Sequence, residues 1–226
     1  MKKFSVVLSA FVLLLGLSGA AGAYNIDYAY INIANQFTSP YAGLSGTVTE
    51  NFDPGPSWTW TGDGAFVTGD LSGVYSAPMG VDGINKDATR FVTVPTNLDV
   101  PNSFRATNLG GTYTYLGLWW GSVDYLFNGI NNELKFYNGD DVVETITGAQ
   151  AINPSNANGN QTAPGTNLYV NIYNLPLFDS FELSSNRFAF EADNFTVGQV
   201  PEPGTMMLLG TGLVGLAGLG RKKFRK

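Results

Sequence analysis

The chain has no cysteine and no histidine among its 226 residues. Without cysteine there is no disulfide to stabilise the fold and no thiol nucleophile. Without histidine, Ser-His-Asp and Cys-His arrangements, imidazole acid–base chemistry and His-containing zinc sites are excluded. Cations are scarce as well. Of 12 Lys and Arg, two lie in residues 1–23 and five in the last six positions, which leaves five for residues 24–199 against 17 Asp and Glu. That segment carries a formal charge of −12, which repels nucleic acid and anionic polysaccharide but suits neutral glycans, divalent cations or cationic partners. It also lacks any long stretch with helical amphipathic spacing.

What is present begins at the two ends. Residues 1–23 have the parts of a secretory signal peptide: Lys2 and Lys3, an apolar run over 6–17, and Ala21-Gly22-Ala23 as a cleavage site before Tyr24. Passage through the Sec export machinery and cleavage by signal peptidase are expected. At the other end, Val200-Pro201-Glu202-Pro203 precedes an uncharged run over 205–220 and the basic cluster Arg221, Lys222, Lys223, Arg225 and Lys226. As a helix the run spans roughly 24 Å. That falls short of a ~30 Å hydrocarbon core, but basic side chains can snorkel and bilayers can thin. The cluster is expected to stay on the cytoplasmic side.

This tripartite tail resembles the PEP-CTERM sorting signal. The resemblance implies delivery to exosortase, a membrane-embedded cysteine transpeptidase-like enzyme of exopolysaccharide-producing bacteria. It further implies an inner-membrane-anchored precursor in a Gram-negative-type cell, then a place at the cell surface or in the biofilm matrix. The expected organisation is therefore a signal peptide (1–23), an ectodomain (24–199) and a transmembrane sorting helix (200–226).

Within the ectodomain, strand-like runs alternate with Gly, Asn, Asp and Pro every eight to twelve residues, the pattern of an all-β, two-sheet antiparallel β-sandwich. Expected strands include 28–33, 48–52, 65–67, 73–77, 90–94, 102–106, 134–137, 142–147, 167–175, 180–183 and 187–197. The run 112–124, TYTYLGLWWGSVD, is apolar on both faces and reads as a central strand buried on two sides, with Trp119 and Trp120 in the core. Gly117 and Gly121 share a face that admits a bulge or a close-packed ring. Asn138-Gly139 between two strand-like runs marks a hairpin, and 149–166 reads as a mobile surface loop. Together, YLGLWWGSVD, the ELKFYNGDDVVETITG hairpin and FAFEADNFTVGQVPEP are similar to one group of exosortase-dependent surface proteins. That similarity implies a jelly-roll-like or concanavalin-like sandwich.

Candidate chemistry is sparse. Trp58 and Trp60, two apart, share a face in an extended segment and serve either as packing units or as a glycan platform. For structural Ca²⁺, Asp193 and Asn194 in the last strand are expected to approach Asp27 near the first, with Asp63, Asp82 and Asp87 as loop candidates. Asp124, Glu133, Glu182 and Glu191 are available for paired-carboxylate glycoside hydrolysis, but no hydrolase motif places any two of them together. The expected function is non-enzymatic. It is that of an exported structural or adhesive component with exopolysaccharide as a ligand, against the alternatives of a secreted glycan-active enzyme or a passive coat.

Overall fold

The computed structural model describes residues 25–28, 36–80, 83–98, 102–127 and 130–199. The signal-peptide, transmembrane-helix and Asp82 expectations fall outside these residues, and so do 29–33 of the first expected strand. Among the described residues no helix is long and apolar enough to cross a membrane.

The strands are β1 (Asn25–Tyr28), β2 (Thr47–Glu50), β3 (Thr59–Gly62), β4 (Ala65–Val67), β5 (Phe91–Val94), β6 (Ser103–Thr107) and β7 (Tyr115–Gly121). They continue with β8 (Tyr125–Phe127), β9 (Ile130–Asn138), β10 (Asp141–Thr147), β11 (Leu168–Tyr173), β12 (Ser180–Ser185) and β13 (Phe190–Gly198). One short helix, α1 (Gly148–Ala151), follows β10. They form an antiparallel two-sheet sandwich. The first sheet runs β1-β11-β7-β13-β5-β4, with β2 also on β13, and the second runs β10-β9-β12-β6-β3, with β8 on β9. The expected 73–77 strand is absent: a single bridge joins Leu71 to Tyr75 there.

The core fills the space between the sheets with Leu116, Leu118, Trp120, Val170, Ile172, Phe190 and Phe195 from one side and Phe104, Leu134, Phe136, Phe181 and Leu183 from the other. Trp120 stacks on Phe190 at 4.3 Å between ring centroids; such a pair adds about 0.5–1.5 kcal/mol beyond its area burial. The 149–166 segment, expected as a mobile surface loop, begins within α1 and is irregular after it, but Ala151, Ile152 and Ala157 sink into this core, so it is tied down.

The two sheets differ on their outer faces, and this difference positions the candidate sites. Every residue of β7 and of β11 is buried. Segments 36–46, 70–80 and 83–89 cover the outside of that sheet: Phe37 packs on Trp119 at 4.6 Å, Ser39 Oγ lies 2.7 Å from Tyr115 OH, Trp119 Nε1 donates to Met79 O at 3.3 Å, and Thr89 Oγ1 lies 3.4 Å from Asp193 Oδ2. The outer face of the second sheet is open. There β6 alternates half-buried and buried residues along its whole length, and Glu182 and Ser184 of β12 are half-buried in the same way.

Along β13, alternation predicts Phe195 on the same face as Glu191 and Asp193. A bulge between Asp193 and Thr196, with Asn194 at φ 52°, reverses the later half of the strand. Phe195 therefore enters the core while Glu191 and Asp193 stay on the covered outer face.

Candidate functional site

The open face of the second sheet is built from alternate residues of β3, β6, β12, β9 and β10. Strand register places Thr61, Arg105, Glu182, Lys135 and Thr145 in one row across it. The charges in that row alternate, and Lys135 Nζ lies 3.5 Å from Glu182 Oε1 and 3.9 Å from Glu133 Oε2. Arg105 is held in place. Its guanidinium sits 3.8 Å over the Tyr137 ring and donates from Nη2 to Gly139 O and Ser180 Oγ, both at 2.8 Å, while Nε has no partner. Burial, and next the Glu182 charge, push the Tyr137 phenol above its usual value.

Two depressions flank this row. One, of about 550 Å³, is lined by Arg105, Thr107, Asn108, Asp140 and Asp179. The other, of about 320 Å³, is lined by Asn131, Glu133, Lys135, Glu182 and Asn186. Both are rich in hydrogen-bonding side chains and open to solvent. Arg105, Tyr137 and Ser180 had no place among the expected site residues. The signal for them was the polar alternation Ser103-Arg105-Thr107, Glu133-Lys135-Tyr137 and Ser180-Glu182-Ser184, which marks a strand face turned to water.

The expected tryptophan platform is not formed. Trp58 is 5% exposed, and the half-buried Trp60 packs among Phe52, Phe66, Phe104, Phe181 and Phe195. The cause lies upstream. Buried Glu50 accepts from the backbone N–H groups of Phe52, Ser57 and Trp58, which folds 51–58 inward and turns both indoles into the core.

The expected calcium trio is not assembled either. β11 and β7 lie between β1 and β13, so Asp27 and Asp193 are separated by three strand spacings, at least about 14 Å. Among the described residues no group of three or more acidic side chains is close enough to hold a metal. Asp63 instead ties a loop, accepting from Thr96 Oγ1 at 2.6 Å and Asn97 N at 3.1 Å.

Asp193 does meet Asp87. Thr89 Oγ1 lies 2.5 Å from Asp87 Oδ1 and 3.4 Å from Asp193 Oδ2, and Asp193 Oδ1 and Asp87 Oδ2 have no partner. Burial first, then the Asp87 charge, push the Asp193 carboxyl up to about 9. Nearby, Asp124 and Glu191 line one cavity. Burial raises Asp124 to about 7 and Glu191 to about 8. The four candidate carboxylates thus sort into two places: Asp124 with Glu191 under the covered face, and Glu133 with Glu182 beside Lys135 on the open one.

With this geometry, the class is an all-β, two-sheet sandwich with one open polar face. Residues 199–222 match the family described as the PEP-CTERM protein-sorting motif. The chain therefore carries a PEP-CTERM sorting motif, which implies an exported, membrane-anchored precursor that exosortase processes to the cell surface. No curated protein matches the chain.

Among solved structures it is similar to the CBM22-1–GH10 modules of Clostridium thermocellum endo-1,4-β-D-xylanase 10B complexed with xylohexaose. That match is 12% identical with a TM-score of 0.32 and covers 69% of this chain and 28% of that one. It is also similar to the K1 cleaved adhesin domain of Lys-gingipain from Porphyromonas gingivalis W83, at 14% identity, TM-score 0.29, 69% of this chain and 99% of that one. A third similarity is to the enzymatically active domain of bacteriophage CBA120 tailspike protein 4, at 12% identity, TM-score 0.25, 75% of this chain and 22% of that one. Superpositions this loose bear on neither ligand nor activity.

Proposed function

We propose that the sandwich is a non-catalytic polysaccharide-binding component of the cell surface or extracellular matrix, and that it binds through the open face of the second sheet. The observation that carries this reading is the asymmetry of the two outer faces. One is covered by 36–46, 70–80 and 83–89, while the other presents Arg105, Lys135, Glu182 and Tyr137 between two depressions open to solvent. A flat, half-exposed strand face with fixed donors and acceptors can follow an extended sugar chain and satisfy its hydroxyls, without the positive field that an anionic polymer would need. Arg105 is pre-organised by its stacking on Tyr137, so less side-chain entropy is lost on binding.

The reading is tested by retention on matrix polysaccharide and by glycan arrays. Arg105→Ala and Tyr137→Ala are expected to weaken binding about tenfold each, the loss of one charge-assisted hydrogen-bond set or one aromatic contact. Binding that is indifferent to both substitutions would remove the open face from the proposal.

A glycan-active enzyme is the second reading, favoured by Asp124 and Glu191 in one cavity, where burial raises both carboxyls and suits either one to a general-acid role. Its cavity of about 200 Å³ lies on the covered side, away from the open face. Reducing ends released from a matrix polysaccharide, and lost on Glu191→Gln, would establish it over binding alone.

A further inference from the structure

The cavity of about 200 Å³ lies where β7 ends, β13 begins and the 158–161 segment passes over both. Its wall includes Ser122, Asp124, Asn158, Gln161 and Glu191. Glu191 is 1% exposed; its Oε1 accepts from Ser76 N at 3.0 Å and its Oε2 from Ser122 Oγ at 2.6 Å. Asp124 is 4% exposed, and its Oδ1 is buried without any partner. The covering segment is shaped to this carboxylate. At Gly159, with φ 66°, an added Cβ would strike Asp124 Oδ1 and lie 2.7 Å from its Cγ.

A buried carboxylate oxygen with no donor costs on the order of 1–3 kcal/mol or more. Here it faces a second buried carboxylate whose own state the Asp124 charge disturbs. Two protons would relieve the repulsion, and so would one cation. The side chains on the wall offer carboxylate, amide and hydroxyl oxygens, and the chain has no imidazole or thiol to offer. Such a donor set suits a hard cation that takes six to eight oxygens. At about 30 Å³ per water, the volume leaves room for an ion with several waters to complete its shell.

We propose that this cavity is a Ca²⁺ site, with Asp124 and Glu191 as its anionic ligands and the Asn158 and Gln161 amides and water supplying further oxygens. It is separate from the Asp87–Asp193 pair, where Thr89 already bridges the two carboxyls. Carboxylate oxygens hold enough lone pairs for Glu191 to keep its Ser76 and Ser122 bonds while ligating. The ion would clamp the end of β7, the start of β13 and the covering segment to one another.

The test uses the full chain, purified in mild detergent, stripped with EDTA and titrated with CaCl2 at pH 8 by thermal unfolding and calorimetry. Calcium is expected to raise the Tm, and calorimetry to give a single site. Asp124→Asn and Glu191→Gln, both isosteric, are each expected to abolish the calcium response while raising the metal-free Tm, since each removes one of two repelling charges. Asp193→Asn is expected to leave the response intact. No calcium-dependent shift in the parent protein means the cavity holds water only and overturns the proposal. A shift retained in Asp124→Asn and in Glu191→Gln, or lost in Asp193→Asn alone, overturns it equally.

Discussion

Gly117 sits in the middle of β7, and a Cβ there would run into the hydroxyls of Tyr115 and Tyr169. Neither ring can swing away freely. Tyr115 OH donates to Asn171 Oδ1 at 2.7 Å, and Tyr169 OH donates to Asn194 O at 3.0 Å. Gly117→Ala is therefore expected to destabilise the fold by about 1–3 kcal/mol, the usual cost of overpacking. Chemical denaturation should show a lower midpoint with unchanged slope. The close-packed ring expected at this glycine from sequence is thus supplied by two tyrosines, one from β7 itself and one from β11. Glu50 is the opposite case. Nothing in its sequence context marks it as a buried acid, because its partners are backbone N–H groups that meet it only once 51–58 has folded.

At the scale of the element, β13 decides which groups meet. Its first half runs between β7 and β5, its second half between β7 and β2, and the bulge at 193–196 separates the two. Asn194 holds the bulge at φ 52°, a conformation most side chains occupy only at a cost of about 1–2 kcal/mol, and Asn less than others. Asn194→Ala should therefore lower stability by about 1 kcal/mol, whereas Asn194→Gly should be close to neutral; paired denaturation curves distinguish them. If both were equally harmful, a contact of the Asn194 side chain and not the backbone would be responsible. Plain alternation misplaces Phe195 for the same reason, since a bulge is a single-residue event that leaves no periodic trace. The hairpin is more legible. Asn138-Gly139 turns β9 into β10, and the turn carbonyl of Gly139 then holds Arg105 on the open face.

For the whole molecule, the acids matter through where they are buried. Burial raises the carboxyls of Asp124, Glu191 and Asp193, so the −12 counted from sequence overstates the charge carried at neutral pH. Glu191 and Asp193, at about 8 and 9, hold protons there, and Asp124, at about 7, is half-protonated. Glu191 faces Ser76, Ser122 and the Asp124 charge, and Asp193 faces Asp87 and Thr89; no cation is among these neighbours. An unfolded chain would release all three protons near the ordinary carboxylate range, so the folded state binds more protons above about pH 4. Stability from these groups is fully present below about pH 4 and is lost as pH rises through 7 to 9. The Tm of EDTA-treated protein should fall steadily between pH 5 and 9. A Tm that rises over this range would show that these carboxyls ionise without strain.

The local order of the chain is enough to determine most of the strands, though not β3 or β8, together with the buried run at β7, the Asn-Gly hairpin and the sorting motif at 199–222, because each depends on neighbours in sequence: alternation, turn chemistry or a contiguous address. The absence of His and Cys likewise excludes whole chemistries wherever the residues end up. Only the tertiary structure decides which sheet face is covered, that Trp58 and Trp60 turn inward, that Asp27 lies three strand spacings from Asp193, and that Asp124 and Glu191 share a cavity. Those outcomes depend on strand order and on which segments fold back over which sheet. Seventeen acids scattered along the chain do not reveal which two will be forced out of water together; burial selects them, and it acts between residues 67 positions apart.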